Sequence, residues 1–152
     1  MADINTALRA IQIAPTLGSR LKGRELTAAI MVAMVTHTVT AAEAAADVLN
    51  IIDLPVGCQL LTDQVKISND AAGGTAAVIS KLGDATDDDR YSATNVALTA
   101  AGIVTVTPTN AIMVTPYRIE LANVTLKATL AGTFPMTAGK KITFQIPYLA
   151  QV

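Results

Sequence analysis

The chain has few cysteine, histidine or aromatic residues. Its 152 residues include one cysteine, one histidine, no tryptophan, two phenylalanines and three tyrosines. Because Cys58 has no second cysteine to pair with, an intrachain disulfide and a thiolate metal cluster are both excluded. We therefore expect packing and backbone hydrogen bonds to hold the fold, and we expect no cofactor.

No hydrophobic run is long enough to cross a membrane. The longest uninterrupted one, residues 28–35, is far shorter than the roughly 20 residues that a spanning helix needs. The first residues also lack the pattern of a secretory signal, since Asp3 precedes Arg9. Yet 51% of the residues are apolar. Because surface positions can stay apolar where a partner covers them, the composition predicts self-association and no membrane partner.

Groups suited to catalysis are equally scarce. Nucleophilic catalysis by a serine or by Cys58 would need His37 as its base, together with an orienting carboxylate. No nucleophile-elbow or papain-like motif surrounds either candidate. The chain has few aromatic side chains to hold a sugar beside paired carboxylates, and it has no glycine-rich phosphate loop. The sequence therefore predicts a protein that is not an enzyme.

The first 25 residues differ from the rest in charge. They hold four basic residues, Arg9, Arg20, Lys22 and Arg24, against two acidic ones, whereas the remainder of the chain is net acidic. We interpret residues 1–25 as an interaction arm, which either frays as an ordinary terminus or orders against a neighbouring subunit. Four spaced basic residues without interleaved aromatics are too sparse for a nucleic-acid surface, so nucleic acid is not an expected partner.

From residue 26 onward, β-branched and apolar residues alternate with polar ones, as is typical of β-strands. Turn signals separate about nine such runs at spacings of roughly 8–12 residues. The predicted strands are residues 31–39, 48–52, 59–68, 75–82, 91–98, 103–107, 111–115, 119–130 and 142–148. This pattern predicts an all-β body over residues 26–152, folded as an antiparallel, jelly-roll-like β-sandwich.

Two irregularities refine the strand prediction. The alternation that Ile119 and Leu121 begin slips at residues 122–123, which predicts a β-bulge there. Pro147 has no N–H to donate to a neighbouring strand. We therefore expect the last strand to lie at a sheet edge or to end near Pro147.

The first predicted strand also carries the candidate subunit interface. Met31, Met34 and His37 lie in it, among the apolar residues that self-association would cover. His37 shares a face with Met31 and Val35, so we interpret it as a packed or interface histidine rather than a catalytic base.

The most conspicuous polar cluster is the run GDATDDDR at residues 83–90. Its four carboxylates, on Asp84, Asp87, Asp88 and Asp89, could ligate a hard cation such as Ca²⁺ through oxygen. The run lacks the glycine and the distal glutamate of an EF-hand loop. We predict no metal and interpret the run as a solvated or arginine-paired loop, with a cation or a subunit contact as the alternative.

Four turns resemble, in their order and spacing, those of a family of small β-sandwich proteins of tailed bacteriophages. The matching stretches are IDLPVG at 52–57, GDATDDDRY at 83–91, LTAAG at 98–102 and TAGK at 137–140. Together they cover residues 46–150. Members of the family serve as capsid decoration (cement) proteins or as other structural proteins of the virion.

The resemblance implies a function that the composition alone does not. It implies a jelly-roll-like body, assembly as a homotrimer, and attachment to the major capsid protein lattice, which would stabilise the head. It also implies synthesis in the host cytoplasm and a final location on the capsid surface. The family offers no catalytic residues to carry over. The alternative is a host-recognition module or a head or tail fibre module of the virion.

Overall fold

The fold is described from a computed structural model of the chain. The structure describes residues 29–40, 43–70, 78–93, 96–114, 119, 122–132 and 138–150. The predicted arm, residues 1–25, lies outside the described residues.

Two antiparallel sheets account for the strands of the described residues. The strands of sheet A are β1 (Ala29–Thr38), β3 (Gln59–Leu60), β4 (Lys66–Asn69), β7 (Gly102–Thr105) and β9 (Lys141–Ala150). The strands of sheet B are β2 (Val48–Leu54), β5 (Val78–Gly83), β6 (Val96–Ala97) and β8 (Val124–Ala131). Sheet A runs in the order β1-β9-β4-β7, with β3 also paired to β9, and sheet B runs in the order β2-β8-β5-β6.

Alternation of apolar and polar side chains places the core between the sheets. In β8, Leu126, Ala128 and Leu130 are buried, while Lys127 and Thr129 between them are partly exposed. Ile142 and Phe144 of β9 are buried in the same way. The inner faces of both sheets contribute to one hydrophobic cluster. The predicted all-β, antiparallel β-sandwich is therefore confirmed.

The predicted strand at 111–115 is wrong, because residues 110–114 form a short helix, α1 (Asn110–Val114). The Thr109 hydroxyl accepts a hydrogen bond from Ile112 N at 3.3 Å, and Met113 N donates to Thr109 O at 3.2 Å. These contacts cap the first turn of the helix, as threonine commonly does. Ile112 is the buried residue of the helix. A short apolar run does not distinguish a strand from a helix by its periodicity.

The expectation that Pro147 marks an edge strand or a strand end is also wrong. Pro147 lies inside β9, opposite Val32 of β1. Its carbonyl oxygen accepts a hydrogen bond from Leu61 N at 3.0 Å, on the side away from β1. On that side β3 pairs with β9 from Tyr148 onward and β4 pairs only up to Gln145. Pro147 cannot return a hydrogen bond to Leu61, whose carbonyl oxygen instead accepts one from Gln64 N at 3.0 Å.

The predicted slip at residues 122–123 marks the start of a strand rather than a bulge within one. Ile119 bonds to the turn before β3, since Gly57 N donates to Ile119 O at 2.6 Å and Ile119 N donates to Cys58 O at 3.0 Å. The strand β8 begins only at Val124. The bulges or irregularities of register lie elsewhere, in β2 and in β5, each opposite β8.

Candidate interaction surface

The strand β1 leaves one of its two sides open. Among the described residues it forms a ladder with β9 alone, along its whole length. Just after the strand, Val39 N donates to Lys140 O at 2.8 Å, so odd-numbered residues direct their backbone groups toward β9. The even-numbered residues of β1 therefore direct their N–H and C=O groups away from the sheet.

The even-numbered residues of β1 also carry exposed apolar side chains. Ile30 is 60% exposed, Val32 is 52% exposed and Met34 is 64% exposed. We call these three residues the β1 patch. Their partners across the ladder include Pro147, which is buried, and Leu149, which is partly exposed. No aspartate, glutamate, lysine, arginine or proline occurs within β1, although edge strands usually carry charged residues or proline to prevent pairing.

The three residues of the predicted subunit interface lie on two faces of β1. Met34 belongs to the β1 patch. Met31 and His37 share the opposite face, and Met31, near the beginning of the strand, is still 48% exposed. The prediction that these three residues contact another subunit stays a prediction.

His37 is bonded within its own chain. Its Nε2 atom lies 2.8 Å from Glu43 Oε1, and the same carboxylate oxygen accepts hydrogen bonds from the N–H and the hydroxyl of Thr40. These contacts stabilise the turn that follows β1. His37 also lines a cleft of about 360 Å³ between β1 and β2, whose floor includes Phe144. Within the described residues, His37 thus serves to hold this turn together.

Cys58 is unsuited to nucleophilic chemistry. It is almost fully buried in the hydrophobic cluster, and this burial raises the pKa of its thiol. A raised pKa disfavours the thiolate, which is the reactive form of cysteine.

At the far end of sheet A, β7 forms a second free edge. Among the described residues it pairs with β4 alone, and its four residues are exposed. Ile103 is 71% exposed, and a side chain added at Gly102 would meet open space. The strand carries no charge. Sheet A thus ends in an uncharged, partly apolar strand on both sides.

The acidic run at 83–90 forms a loop that is organised around Asp84. Asp84 is 5% exposed, and its Oδ1 atom accepts hydrogen bonds from the N–H and hydroxyl of Thr86 and from Asp87 N. Its Oδ2 atom accepts a hydrogen bond from Arg90 Nε at 2.6 Å. Burial opposes ionisation of Asp84, but these hydrogen bonds outweigh it and hold the pKa of the carboxyl below its usual value. Asp84 therefore stabilises the loop.

Gly83 allows the loop to close on itself. A side chain at this position would collide with the backbone of Asp87 and Asp88. Asp84 N donates to Asp87 O at 2.8 Å, and Tyr91 N donates to Leu82 O at 2.9 Å, so the chain returns directly to β5. The close return requires a residue without a side chain at position 83.

The other three carboxylates of the run form a separate cluster. Oxygen atoms of Asp87, Asp88 and Asp89 lie within 4.8 Å of one another. Asp88 Oδ2 accepts a hydrogen bond from Lys81 Nζ at 2.7 Å, and this contact raises the pKa of the lysine. Exposed acidic clusters of this kind are common without a metal ion. The arrangement fits a lysine- and arginine-paired loop, and cation binding stays an untested alternative.

The four basic residues of the predicted interaction arm, Arg9, Arg20, Lys22 and Arg24, lie outside the described residues. No helix within the described residues is long and apolar enough to cross a membrane.

Among known proteins, only solved structures match the chain. No family model and no curated protein matches the chain. A chain of the cyanophage Pam1 capsid asymmetric unit matches with a TM-score of 0.60 and 18% identity, over 99% of this chain and 100% of that chain. A chain of the Ralstonia phage GP4 capsid matches with a TM-score of 0.66 and 18% identity, over 83% of this chain and 88% of that chain.

A third solved structure agrees with these two. A chain of the acid-stable capsid of the Helicobacter pylori bacteriophage KHP30 matches with a TM-score of 0.55 and 11% identity, over 81% of this chain and 90% of that chain. The fold is one found in phage capsids. The predicted resemblance to structural proteins of phage is confirmed at the level of this capsid fold.

Sequence reasoning missed part of the exposed apolar surface of this capsid fold. It identified Met34 but not Ile30 or Val32 of the β1 patch, and it did not single out Ile103 in β7. The signal was available, since residues 29–38 form a ten-residue strand without a single charge. The strand order, which makes β1 and β7 the two ends of one sheet, could not be read from the sequence.

Proposed function

We propose that the protein is a structural component of a phage virion and, more narrowly, a decoration (cement) protein bound to the outside of the head. The observation that carries this proposal is the match in fold to chains of three phage capsid structures, which in one case spans 99% of this chain. A role without catalysis agrees with the hydrogen-bonded His37 and the buried Cys58.

The order of strands supports the jelly-roll assignment. With the two-residue β3 set aside, eight strands form two four-stranded sheets in the orders β1-β9-β4-β7 and β2-β8-β5-β6. An eight-stranded double sheet of this kind is the framework of a jelly roll, an architecture that is common in viral capsid domains.

The proposed partners are the major capsid protein and further copies of this chain. A decoration protein adds buried area across the boundaries between capsomers, and a stable contact of this kind buries at least about 1,000 Å². The exposed apolar residues on the edge strands of sheet A support such contacts. The homotrimer, the location on the capsid surface and the synthesis in the host cytoplasm belong to this proposal.

The number of copies per particle tests the proposal. Quantitative mass spectrometry of purified virions should give hundreds of copies of the chain for each head. A dozen copies or fewer would contradict decoration and would favour a fibre or host-recognition module. Absence of the chain from purified particles would overturn the virion role altogether.

The arm has its own test. Removing residues 1–25 should leave the β-sandwich folded, because the described sheets begin at Ala29, while it weakens attachment to heads that have been stripped of the protein. Replacing only Arg9, Arg20, Lys22 and Arg24 by alanine separates the effect of charge from that of length. Attachment that equals that of the full chain would exclude the arm from the interaction.

A further inference from the structure

The two ends of sheet A share the features of unprotected strand edges. The backbone groups of the even-numbered residues of β1 point away from β9. At the other end, Val106 N donates to Val65 O at 2.9 Å, so Ile103 and Thr105 direct their backbone groups away from β4. Both edges therefore present free donors and acceptors beside exposed apolar side chains.

The edges of sheet B are protected by comparison. The edge strand β2 carries the exposed Asp53, and its ladder with β8 is irregular between Asn50 and Ile52. The other edge strand, β6, is only two residues long. Charges, bulges and shortness are the usual means by which edge strands avoid pairing with other chains. The open edges of the described sandwich are thus those of sheet A.

We propose that copies of this chain join head to tail through sheet A, so that β1 of one copy pairs with β7 of the next copy and the contacts close into a ring. The proposal rests on the self-association that is part of the proposed function, and it names the surfaces. A cyclic trimer requires two different surfaces on each copy, because only a two-fold contact uses the same surface twice. The two ends of sheet A supply these two surfaces.

Pairing of β1 with β7 explains more of the exposed surface than pairing of β1 with itself. A two-fold contact between β1 strands would leave Ile103 and Val104 of β7 in water, whereas the ring covers both edges. The four residues of β7 are few for the roughly 800 Å² that each partner contributes to a standard interface. The β1 patch and Ile103 must therefore pack beside the paired strands, which their exposure allows.

Two proline substitutions test the ring. Val32→Pro and Ile103→Pro each remove one outward-facing N–H, and neither removes a donor that the chain uses in its own ladders. Light scattering on the purified wild-type chain should give three times 15.7 kDa. Each variant alone should give a lower mass than the wild type. Every proposed contact needs a β1 edge and a β7 edge that can both pair, and each variant has lost one of the two.

Mixing the two variants gives the decisive result. A Val32→Pro copy retains a free β7 and an Ile103→Pro copy retains a free β1, so one contact can form between them and a second cannot. The mixture should therefore yield a one-to-one heterodimer of twice 15.7 kDa. Self-association of the Ile103→Pro copies alone at the wild-type mass would overturn the pairing, as would a monomeric wild type.

Two controls keep these outcomes interpretable. Far-ultraviolet circular dichroism of each variant verifies the fold, and Met34→Lys with Ile103→Lys provides a second pair that adds charge to the edges without changing the backbone. Unchanged mass in both pairs would also overturn the proposal. Because these measurements use no capsid, a failed ring is distinct from a failed decoration role, which the copy number tests.

Discussion

The 83–90 loop and the strand β1 use their polar groups in opposite ways. The loop has four carboxylates, and its buried carboxylate accepts hydrogen bonds from its own Thr86, Asp87 and Arg90. The strand has no aspartate, glutamate, lysine or arginine, yet one whole side of its backbone has no ladder partner among the described residues. The region that looks most like a binding site is bonded internally, and the region that looks like an ordinary strand is open.

This contrast indicates that β1, rather than the 83–90 loop, is the region able to contact another molecule. Asp84 is held by its own loop, so its removal should affect stability rather than assembly. The β1 patch makes few contacts within the chain, so its alteration should affect assembly rather than stability.

Asp84→Ala should cause the largest loss. The substitution removes the buried oxygen atoms that accept hydrogen bonds from the Thr86 and Asp87 N–H groups and from Arg90 Nε. We expect the free energy of unfolding to fall by about 2–3 kcal/mol, since four hydrogen bonds to a buried carboxylate are lost. For a chain of this size, the melting temperature should fall by roughly 4–12 °C at a fixed protein concentration.

An exposed aspartate serves as the matched control for this substitution. Asp63 lies at the surface in the 3-10 helix Thr62–Gln64. Asp63→Ala should leave the melting temperature unchanged within error. Equal effects of the two substitutions would contradict a structural role for Asp84, and a change in oligomeric mass in Asp84→Ala would contradict the division between loop and strand.

Acid should weaken the loop in a predictable direction. The pKa of Asp84 in the folded chain lies below its ordinary value of 3.8, so the folded state favours the carboxylate. Its stabilising contribution is therefore complete above pH 3.8 and is lost as the pH falls through the lower, folded-state pKa. Urea unfolding between pH 2 and pH 6 should show this loss, and Asp84→Asn should reduce the dependence on pH. The same slope in both proteins would contradict the assignment.

The sequence predicts the inner faces of the strands well and the edges poorly. Leu126, Ala128 and Leu130 alternate with polar residues, and that alternation alone predicts their burial. The position of Pro147 within a central strand depends on the gap between β3 and β4, which is set by strand order. The helix at Asn110–Val114 begins after a cap at Thr109. The sequence did not predict it, because its short apolar run is equally consistent with a strand. Contacts between distant parts of the chain decide these features.

Met34→Lys should separate assembly from stability. Met34 is 64% exposed on β1, so the intrinsic stability of the chain should change by less than about 0.5 kcal/mol. The oligomeric mass should fall, because a lysine on an edge strand opposes pairing with another chain. Val114→Lys is the matched control, since Val114 is 82% exposed in α1 and lies outside sheet A. Equal masses for the two variants would remove the β1 patch from the interface.

Calcium should have the smallest effect of all. Asp84 already accepts four hydrogen bonds, and Asp88 is paired with Lys81 at 2.7 Å, so two of the four carboxylates are committed within the chain. A protein calcium site supplies about 6–8 oxygen ligands, which is more than the carboxylates of Asp87 and Asp89 can offer alone. Millimolar Ca²⁺ should therefore leave the melting temperature unchanged. A saturable rise that is lost in Asp87→Asn would instead make the loop a cation site, and the contrast with β1 would no longer hold.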